Sequence, residues 1–162
     1  PGSHKSGRKA YINPRSNKSE SGKIHKGELM TNHVIHPEGW APALGYANGV
    51  LTDDGTLYTG GQIGWNKDKI FTSTEFVPQM RQALQNIVEI VEAAGGTAAD
   101  VVRLTWFVTD KTAYLENQRE VGKAYRDIFG RHFPAMSMLV VAGLIEDKAL
   151  IEIEATAKII RK

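Results

Sequence analysis

Two acidic side chains near the C-terminal end of the sequence are the first candidates for catalysis. Glu152 and Glu154 alternate with Ile151 and Ile153 in "ALIEIEATAKII", so both carboxylates lie on one face of a predicted strand. A carboxylate beside a binding site can accept a proton or position a water molecule. The alternative is a solvated strand face, which is the better interpretation for Glu154.

A pair of glycines ends another predicted strand, in the segment "LYTGGQIGW". Because they have no side chains, Gly60 and Gly61 can leave backbone N–H groups open to an anion or an oxygen atom. A bulge or a tight turn explains the same two residues without any ligand.

Three aromatic residues are candidates for the apolar wall of a small-molecule site. Tyr46 and Trp65 lie in or beside glycine-containing segments, whereas Trp106 lies in the middle of a predicted strand. Packing in the core is therefore the simpler role for Trp106.

The other polar residues predict no metal or cofactor site. His33 and His36 are three residues apart in a segment without further ligands, His132 stands alone, and the chain has no cysteine. The sequence contains no P-loop, HExxH, G-x-S-x-G or GxGxxG motif. We therefore expect no metal and no cofactor, and surface or packing roles for the histidines.

The first half of the chain predicts a hairpin followed by a helix. Turn residues make 30–49 irregular, and "GVLTDDGTLYTGG" predicts a hairpin that turns at 53–55 before a glycine-rich loop, "GQIGWNKDK". Apolar residues at helical spacing then predict a helix that begins after Ser73 or Thr74 and ends at Ala94.

The second half predicts a strand, a helix and two further strands. The helix begins at Asp110 or Thr112 and continues to about Phe129. The strands are predicted at 101–109, 137–141 and 149–160. The side chains expected to face the core are Val102, Leu104, Trp106 and Val108 in the first strand and Ile151, Ile153, Ala155 and Ala157 in the last.

This α+β arrangement implies a partner. Two helices can cover only one face of such a sheet, yet "VVRLTWFV" and "SMLVV" are apolar on both faces. The simplest second cover is another copy of the chain, so we expect a homo-oligomer formed through the open sheet face.

The charge divides the chain into a basic leader and an acidic body. Residues 1–29 hold seven basic and two acidic residues, a net +5, so the rest of the +2 chain carries −3. We interpret 1–29 as a disordered leader, a tag or other non-native extension, with translation starting at Met30 and one domain at 30–162. The alternative is a genuine basic arm that binds an acidic partner.

Composition also sets expectations about location and partners. The lack of cysteine suggests a reducing compartment, so a cytoplasmic location is expected. Apolar runs are too short to span a bilayer, and no membrane partner is expected. The acidic body argues against nucleic-acid binding.

Several segments resemble the RidA/YjgF family of enamine and imine deaminases, also called endoribonuclease L-PSP-like proteins. In chain order, these segments are "GYANGV", "LYTGGQIGW", "QALQNIVEIVEAAGG", "VVRLTWFVTD", "AYRDIFGRHFPAMS" and "ALIEIEATA". Their order and spacing match those of the family. The resemblance implies a chorismate-mutase-like fold of the bacillus type, with two helices on one face of the sheet. It also implies a homotrimer with an inner barrel and small-molecule sites at the subunit interfaces.

The resemblance assigns roles to individual residues. Tyr46 matches the tyrosine of "GPYSQ", and Gly61 matches the glycine of "SGQI", where Gly60 replaces serine. Glu152 matches the glutamate that positions the attacking water. Gly122, in "EVGKAY", stands where the family has an asparagine in the site.

Met136 is the largest departure from the family pattern. The family has a substrate-binding arginine here, whose guanidinium binds a carboxylate, and Met138 replaces the cysteine of "PARSC". A thioether carries no charge and accepts hydrogen bonds only weakly. We therefore expect a less anionic substrate than usual.

Three functions follow from these observations. The first is a hydrolase or deaminase that acts on an enamine, an imine or a related metabolite, with Glu152 as the catalytic residue. Its binding residues would be Tyr46, Gly60, Gly61, Trp65, Gly122, Met136 and Met138. The second is a non-catalytic trimer that binds a metabolite or a protein in the same cleft. The third is the ribonuclease or translation-inhibitor activity of some relatives, against which the acidic body argues.

Overall fold

The structure is a computed structural model that describes residues 32–160, so the predicted leader at 1–29 lies outside the described residues. The strands of this range are β1 (His33–Ile35), β2 (Gly49–Leu51), β3 (Thr56–Thr59), β4 (Gln62–Ile63), β5 (Val101–Val108), β6 (Ala135–Val140) and β7 (Ile151–Lys158). The helices are α1 (Phe76–Ala93), α2 (Lys111–Glu116) and α3 (Gln118–Phe129), with a short 3-10 helix at Ala98–Asp100. The predicted α+β class is confirmed.

The strands form one mixed sheet in the order β1-β2-β3-β7-β5-β6, and β4 pairs separately with β7. Only β5 and β6 run parallel. The predicted hairpin is confirmed, with Leu51 opposite Leu57 and a turn that contains Gly55 at φ 80°. Two predicted irregular segments instead contain the short strands β1 and β4, because the sheet supplies hydrogen-bonding partners that the sequence pattern does not reveal.

Helix α1 follows its predicted pattern. The Ser73 hydroxyl accepts a hydrogen bond from the Glu75 N–H just before the first turn. The helix ends before Gly95, whose φ of 87° stops the α conformation. Its apolar stripe is buried, as expected from the spacing of Phe76, Met80, Leu84, Ile87 and Val91.

The predicted second helix is two helices, which is a correction to the sequence-based expectation. Asp110 begins α2 by accepting a hydrogen bond from the Thr112 N–H. The break falls at Asn117, whose side-chain amide donates to the Ala113 carbonyl at 2.8 Å. An asparagine that bonds its own backbone in this way competes with the helical hydrogen bonds. Gly130, at φ 62°, ends α3 where predicted.

A β-bulge changes the predicted face of one valine. Val102 is 49% exposed, because the pairing with β7 shifts between Val101 and Arg103. The extra residue turns Val102 away from the core and buries Val101 instead. Beyond the bulge, the predicted inward residues of β5 are buried as expected, and the same holds for Ile151, Ile153, Ala155 and Ala157 of β7.

The two faces of the sheet differ sharply. Helices α1 and α3 pack over the core, with α1 against β7. On the opposite face lie polar side chains such as Arg103, Thr105 and Glu154. The edge strand β6 exposes several apolar side chains, among them Met136, Leu139 and Val140. None of the helices within 32–160 has the length and apolar character needed to cross a membrane.

Candidate functional site

A cleft of about 340 Å³ beside β4 and β7 brings together most of the predicted site residues. These are Tyr46, Gly60, Gly61, Trp65 and Glu152. The other lining residues come from the segment after Tyr46, from β4 and from the loop before β7. They are Ala47, Gln62, Ile63, Ile145 and Glu146. We refer to this space as the Glu152 cleft.

The carboxyl group of Glu152 is held in a partly dehydrated position. Glu152 lies between Phe107 of β5 and Ile63 of β4 in the sheet register and is half-buried. Burial is the main cause that raises the pKa of this carboxyl above its ordinary value, and the negative charge of Glu154 raises it further. A carboxyl whose pKa moves toward neutrality is better suited to exchange protons with a reacting molecule.

The two glycines have different roles in this cleft. The Gly60 N–H donates to the Asn48 carbonyl at 2.9 Å, so it cannot also bind a ligand. The prediction that both glycines offer a free backbone donor is thus wrong for Gly60, because its N–H is bonded to the backbone of the segment before β2. At Gly61, any side chain would overlap with Oε1 of Glu152, so the glycine leaves the space that the carboxyl occupies.

Replacing Gly61 by alanine tests this close packing. The methyl group is expected to push the Glu152 carboxyl toward solvent and to lower its pKa toward the ordinary value. Only the far end of a flexible side chain must move, so stability is expected to change by less than about 0.5 kcal/mol. An NMR titration of the carboxyl measures the pKa. Gly143→Ala, which places its methyl group in open space, is the control, and an unchanged pKa in Gly61→Ala would contradict the packing.

Lys69, which no sequence pattern singled out, orders the aromatic wall of the cleft. Its ammonium group lies 5.4 Å from the ring centre of Tyr46 and 5.7 Å from that of Trp65, and it donates to the Pro42 carbonyl at 2.7 Å. Lys69 also adopts φ 60°, a conformation that non-glycine residues rarely take. The turn at Asn66, whose side chain accepts two backbone hydrogen bonds, was the available signal.

Two buried amides of α1 hold the loops around the cleft, and they too were missed. Asn86 donates to the carbonyls of Ile63 and Trp65, at 3.3 and 2.9 Å. Gln79 joins the segments before α1 and before β7, because it bonds the Ser73 carbonyl and both the Lys148 carbonyl and the Leu150 N–H. Polar residues within the buried stripe of a helix were the signal.

The remaining predicted residues lie elsewhere. Gly122, Met136 and Met138 line a groove of about 210 Å³ between α3 and β6, which we call the Met136 groove. Its other walls come from β5, from the two helices and from the segment before β6: Trp106, Tyr114, Gln118, Val121, Tyr125, Arg126, Phe133 and Pro134.

The sheet register separates the Met136 groove from Glu152. Met138 lies opposite Trp106, which in turn lies opposite the buried Ile153. Glu152 neighbours Ile153 and therefore points to the other face of the sheet. Within one chain, the two methionines and Glu152 thus face opposite ways.

The three histidines within residues 32–160 have structural partners. His132 bonds the Val101 carbonyl at 2.6 Å, and His36 bonds Asn48 at 3.1 Å. His33 lies 3.6 Å from the Asp53 carboxylate. Between residues 32 and 160 no three His, Asp or Glu side chains are grouped so that they could hold a metal ion.

Comparison with known proteins identifies one family over most of the described range. The family model described as endoribonuclease L-PSP matches residues 38–159. A RutC family protein of Haemophilus influenzae is 38% identical over 79% of this chain and 98% of its own length.

Solved structures agree with the sequence comparison. The YjgF gene product of E. coli is 36% identical, with a TM-score of 0.66 over 78% of this chain and 98% of that one. A Rid-family protein of unknown function from Yersinia pestis is 32% identical, with a TM-score of 0.69 over 80% of this chain and 100% of that one. The chain belongs to the endoribonuclease L-PSP family, the family of the RidA and YjgF proteins.

Proposed function

We propose that this protein hydrolyses the C=N bond of an imine, or of an enamine in its imine form, on a small metabolite. Family membership supports a small-molecule deaminase or a related role. The observation that carries the proposal is Glu152, a half-buried carboxyl with a raised pKa that packs against Gly61 in a cleft beside Tyr46 and Trp65.

The proposed reaction adds one water molecule and releases ammonia. Glu152 accepts a proton from the water as its oxygen bonds to the imine carbon. It returns this proton to the nitrogen, which gives a carbinolamine. The carboxylate then carries the hydroxyl proton of the carbinolamine to the same nitrogen, the C–N bond breaks as the C=O bond forms, and a carbonyl compound and ammonia leave. The Gly61 N–H is the proposed donor to the substrate.

The substrate is less anionic where it meets Met136 than it would be beside an arginine. A carboxylate placed directly against the two thioethers would lose its water without gaining a charged partner from β6, which costs several kcal/mol, on the order of an unmet charged hydrogen bond. The part of the substrate beside Met136 and Met138 is therefore apolar.

The proposed site is shared between subunits of a homotrimer. The Glu152 cleft and the Met136 groove face opposite ways within one chain, so a second subunit is needed to bring the two half-sites together. The exposed apolar side chains of β6 support an interface there, because an uncovered edge strand favours association.

Ammonia release from an imine tests the activity. The imine of an apolar amino acid, generated in situ by an amino-acid oxidase, is expected to lose ammonia faster with the protein than without it. Binding of the imine's carbonyl analogue without any acceleration would instead support a non-catalytic binding trimer.

A mixing experiment tests the shared site. Met136→Asp and Glu152→Gln chains, each inactive alone, are unfolded together and refolded as a mixture of equal parts. In a ring with one site at each interface, each half of a site comes from an intact chain about half of the time. About a quarter of the sites then have two intact halves, so about a quarter of the activity should return. No recovery from mixed trimers of normal size would contradict the shared site.

A further inference from the structure

The wall of the Met136 groove that α3 provides carries a guanidinium group. Arg126 follows Gly122 by one helical turn, and both line the groove. Nη1 of Arg126 lies 3.2 Å from the position that a Cβ atom on Gly122 would take. The guanidinium therefore lies over the glycine, and the side chain of any other residue at 122 would crowd it.

Arg126 is the only charged residue among those that line the groove. Its neighbour Asp127 is occupied by Arg81 at 2.6 Å and by Lys123 at 3.1 Å. No ion pair joins Arg126 to a carboxylate within residues 32–160. Its fork of N–H donors is thus available to an anion, and its planar geometry matches a carboxylate.

One residue on the strand side of the groove has a buried donor without a partner. Trp106 is 1% exposed, and its indole Nε1–H has no acceptor among the described residues. Buried donors in proteins normally have a partner, but this N–H is enclosed by the protein, so the indole forms part of the groove wall. Phe133, Met136 and Met138 make the rest of the groove apolar.

We propose that the Met136 groove binds a small monocarboxylate with an apolar chain, whose carboxylate is held by Arg126. The apolar chain lies against Met136 and Met138, beside the indole of Trp106. This inference rests on the proposed function, in that it names the ligand of the same site. The charge is supplied by the helix, so the strand position can be a methionine.

Hexanoate and hexanamide test the proposal, because they share a chain and differ in charge. Titration of the 15N-labelled protein, followed at the indole N–H signal of Trp106, gives both dissociation constants; Trp106→Phe identifies the signal. Hexanoate is expected to bind at least about tenfold more tightly, the effect of one charged hydrogen-bonded pair. The preference for hexanoate over hexanamide should decrease as salt is added, because salt screens the charge interaction.

Arg126→Gln is expected to remove the preference for hexanoate and to leave hexanamide binding unchanged. Arg119→Gln is the matched control, since Arg119 is an exposed arginine on the same helix, two turns away and outside the groove. An undiminished preference in Arg126→Gln, or no binding of either compound to the unmodified protein, would overturn the proposal.

Gly122→Ala provides a second test that does not depend on removing a charge. Alanine in a helix is intrinsically more stable than glycine, so the melting temperature is expected to rise by a few degrees. The methyl group displaces the Arg126 guanidinium, so hexanoate binding is expected to weaken. Tighter or unchanged hexanoate binding would contradict the role of the glycine.

The outcomes separate this inference from the proposed function. Hexanoate binding that depends on Arg126, together with no ammonia release from any imine, would support the inference and reject the hydrolase. Ammonia release that persists at the same kcat/KM in Arg126→Gln would support the hydrolase and reject the inference.

Discussion

Replacing Glu152 by glutamine is expected to slow imine hydrolysis by about 10²–10⁴-fold, the usual contribution of a positioned general base. The amide keeps the size of the side chain but cannot take a proton from the attacking water. The rate of ammonia release at neutral pH measures the loss. Glu154→Gln is the control, because Glu154 is exposed and lines a different part of the sheet. It removes only the secondary cause of the raised Glu152 pKa and leaves the proposed base in place, so its effect on the rate should be much smaller. A loss smaller than about tenfold would exclude Glu152 as the base.

The same substitution has an opposite effect on stability. Burial and, secondarily, Glu154 raise the pKa of Glu152 in the folded state, so the ionised carboxylate disfavours folding. The contribution of this carboxyl to stability is present below its unfolded pKa and is lost as the pH rises through the folded pKa. Glu152→Gln should therefore be more stable than the unmodified protein at neutral pH.

Urea unfolding at two pH values checks the sign. At a pH below the ordinary carboxyl pKa, both proteins carry a neutral group at 152, and their unfolding free energies should converge. A glutamine variant that is less stable at neutral pH would mean that the ionised Glu152 has a stabilising partner. Loss of activity with gain of stability is the expected signature of a residue retained for catalysis.

Replacing Gln79 by methionine is expected to destabilise the fold by about 3 kcal/mol or more. The change keeps the volume of the side chain but leaves the Leu150 N–H and the carbonyls of Ser73 and Lys148 without their partner, at about 1–3 kcal/mol each. The melting temperature should fall by roughly 10 °C. Because Leu150 directly precedes β7, the change should also loosen the segment that leads to Glu152.

Gln85→Met is the matched control for this prediction. Gln85 is an exposed glutamine on the same helix, so its replacement should cost less than about 0.5 kcal/mol. Equal losses in the two variants would mean that the effect comes from the helix itself. A small loss at Gln79 would mean that water replaces its hydrogen bonds.

The sequence predicted the elements whose periodicity is long and regular. Helix α1 and strand β7 lie within two residues of their expected bounds and bury the expected residues, because eighteen and eight residues of consistent pattern leave few alternatives. Short elements and local departures were missed. Strands β1 and β4 need a partner strand, the break at Asn117 depends on one side-chain hydrogen bond, and the bulge at Val102 depends on the pairing with β7.

The candidate site shows the same division. The chemistry of Glu152 and the loss of charge at Met136 follow from residue identity and from the resemblance to a family. The sequence does not reveal that the Gly60 amide is already bonded, that Lys69 covers two aromatic rings, or that Arg126 lies over Gly122. Each of these three contacts joins atoms that are not neighbours in the sequence. Folding brings the first two sets of atoms together, and one turn of helix α3 brings Arg126 over Gly122.

The sequence by itself thus determined the family, the main elements and which residue types are present for chemistry. Only the tertiary structure decided that Glu152 and Met136 point to opposite faces of the sheet, because that depends on the register of β5, β6 and β7. Side-chain direction alternates along a strand, so a shift of one residue in pairing would reverse it. Register is fixed by packing of the whole sheet, and no short segment of sequence encodes it.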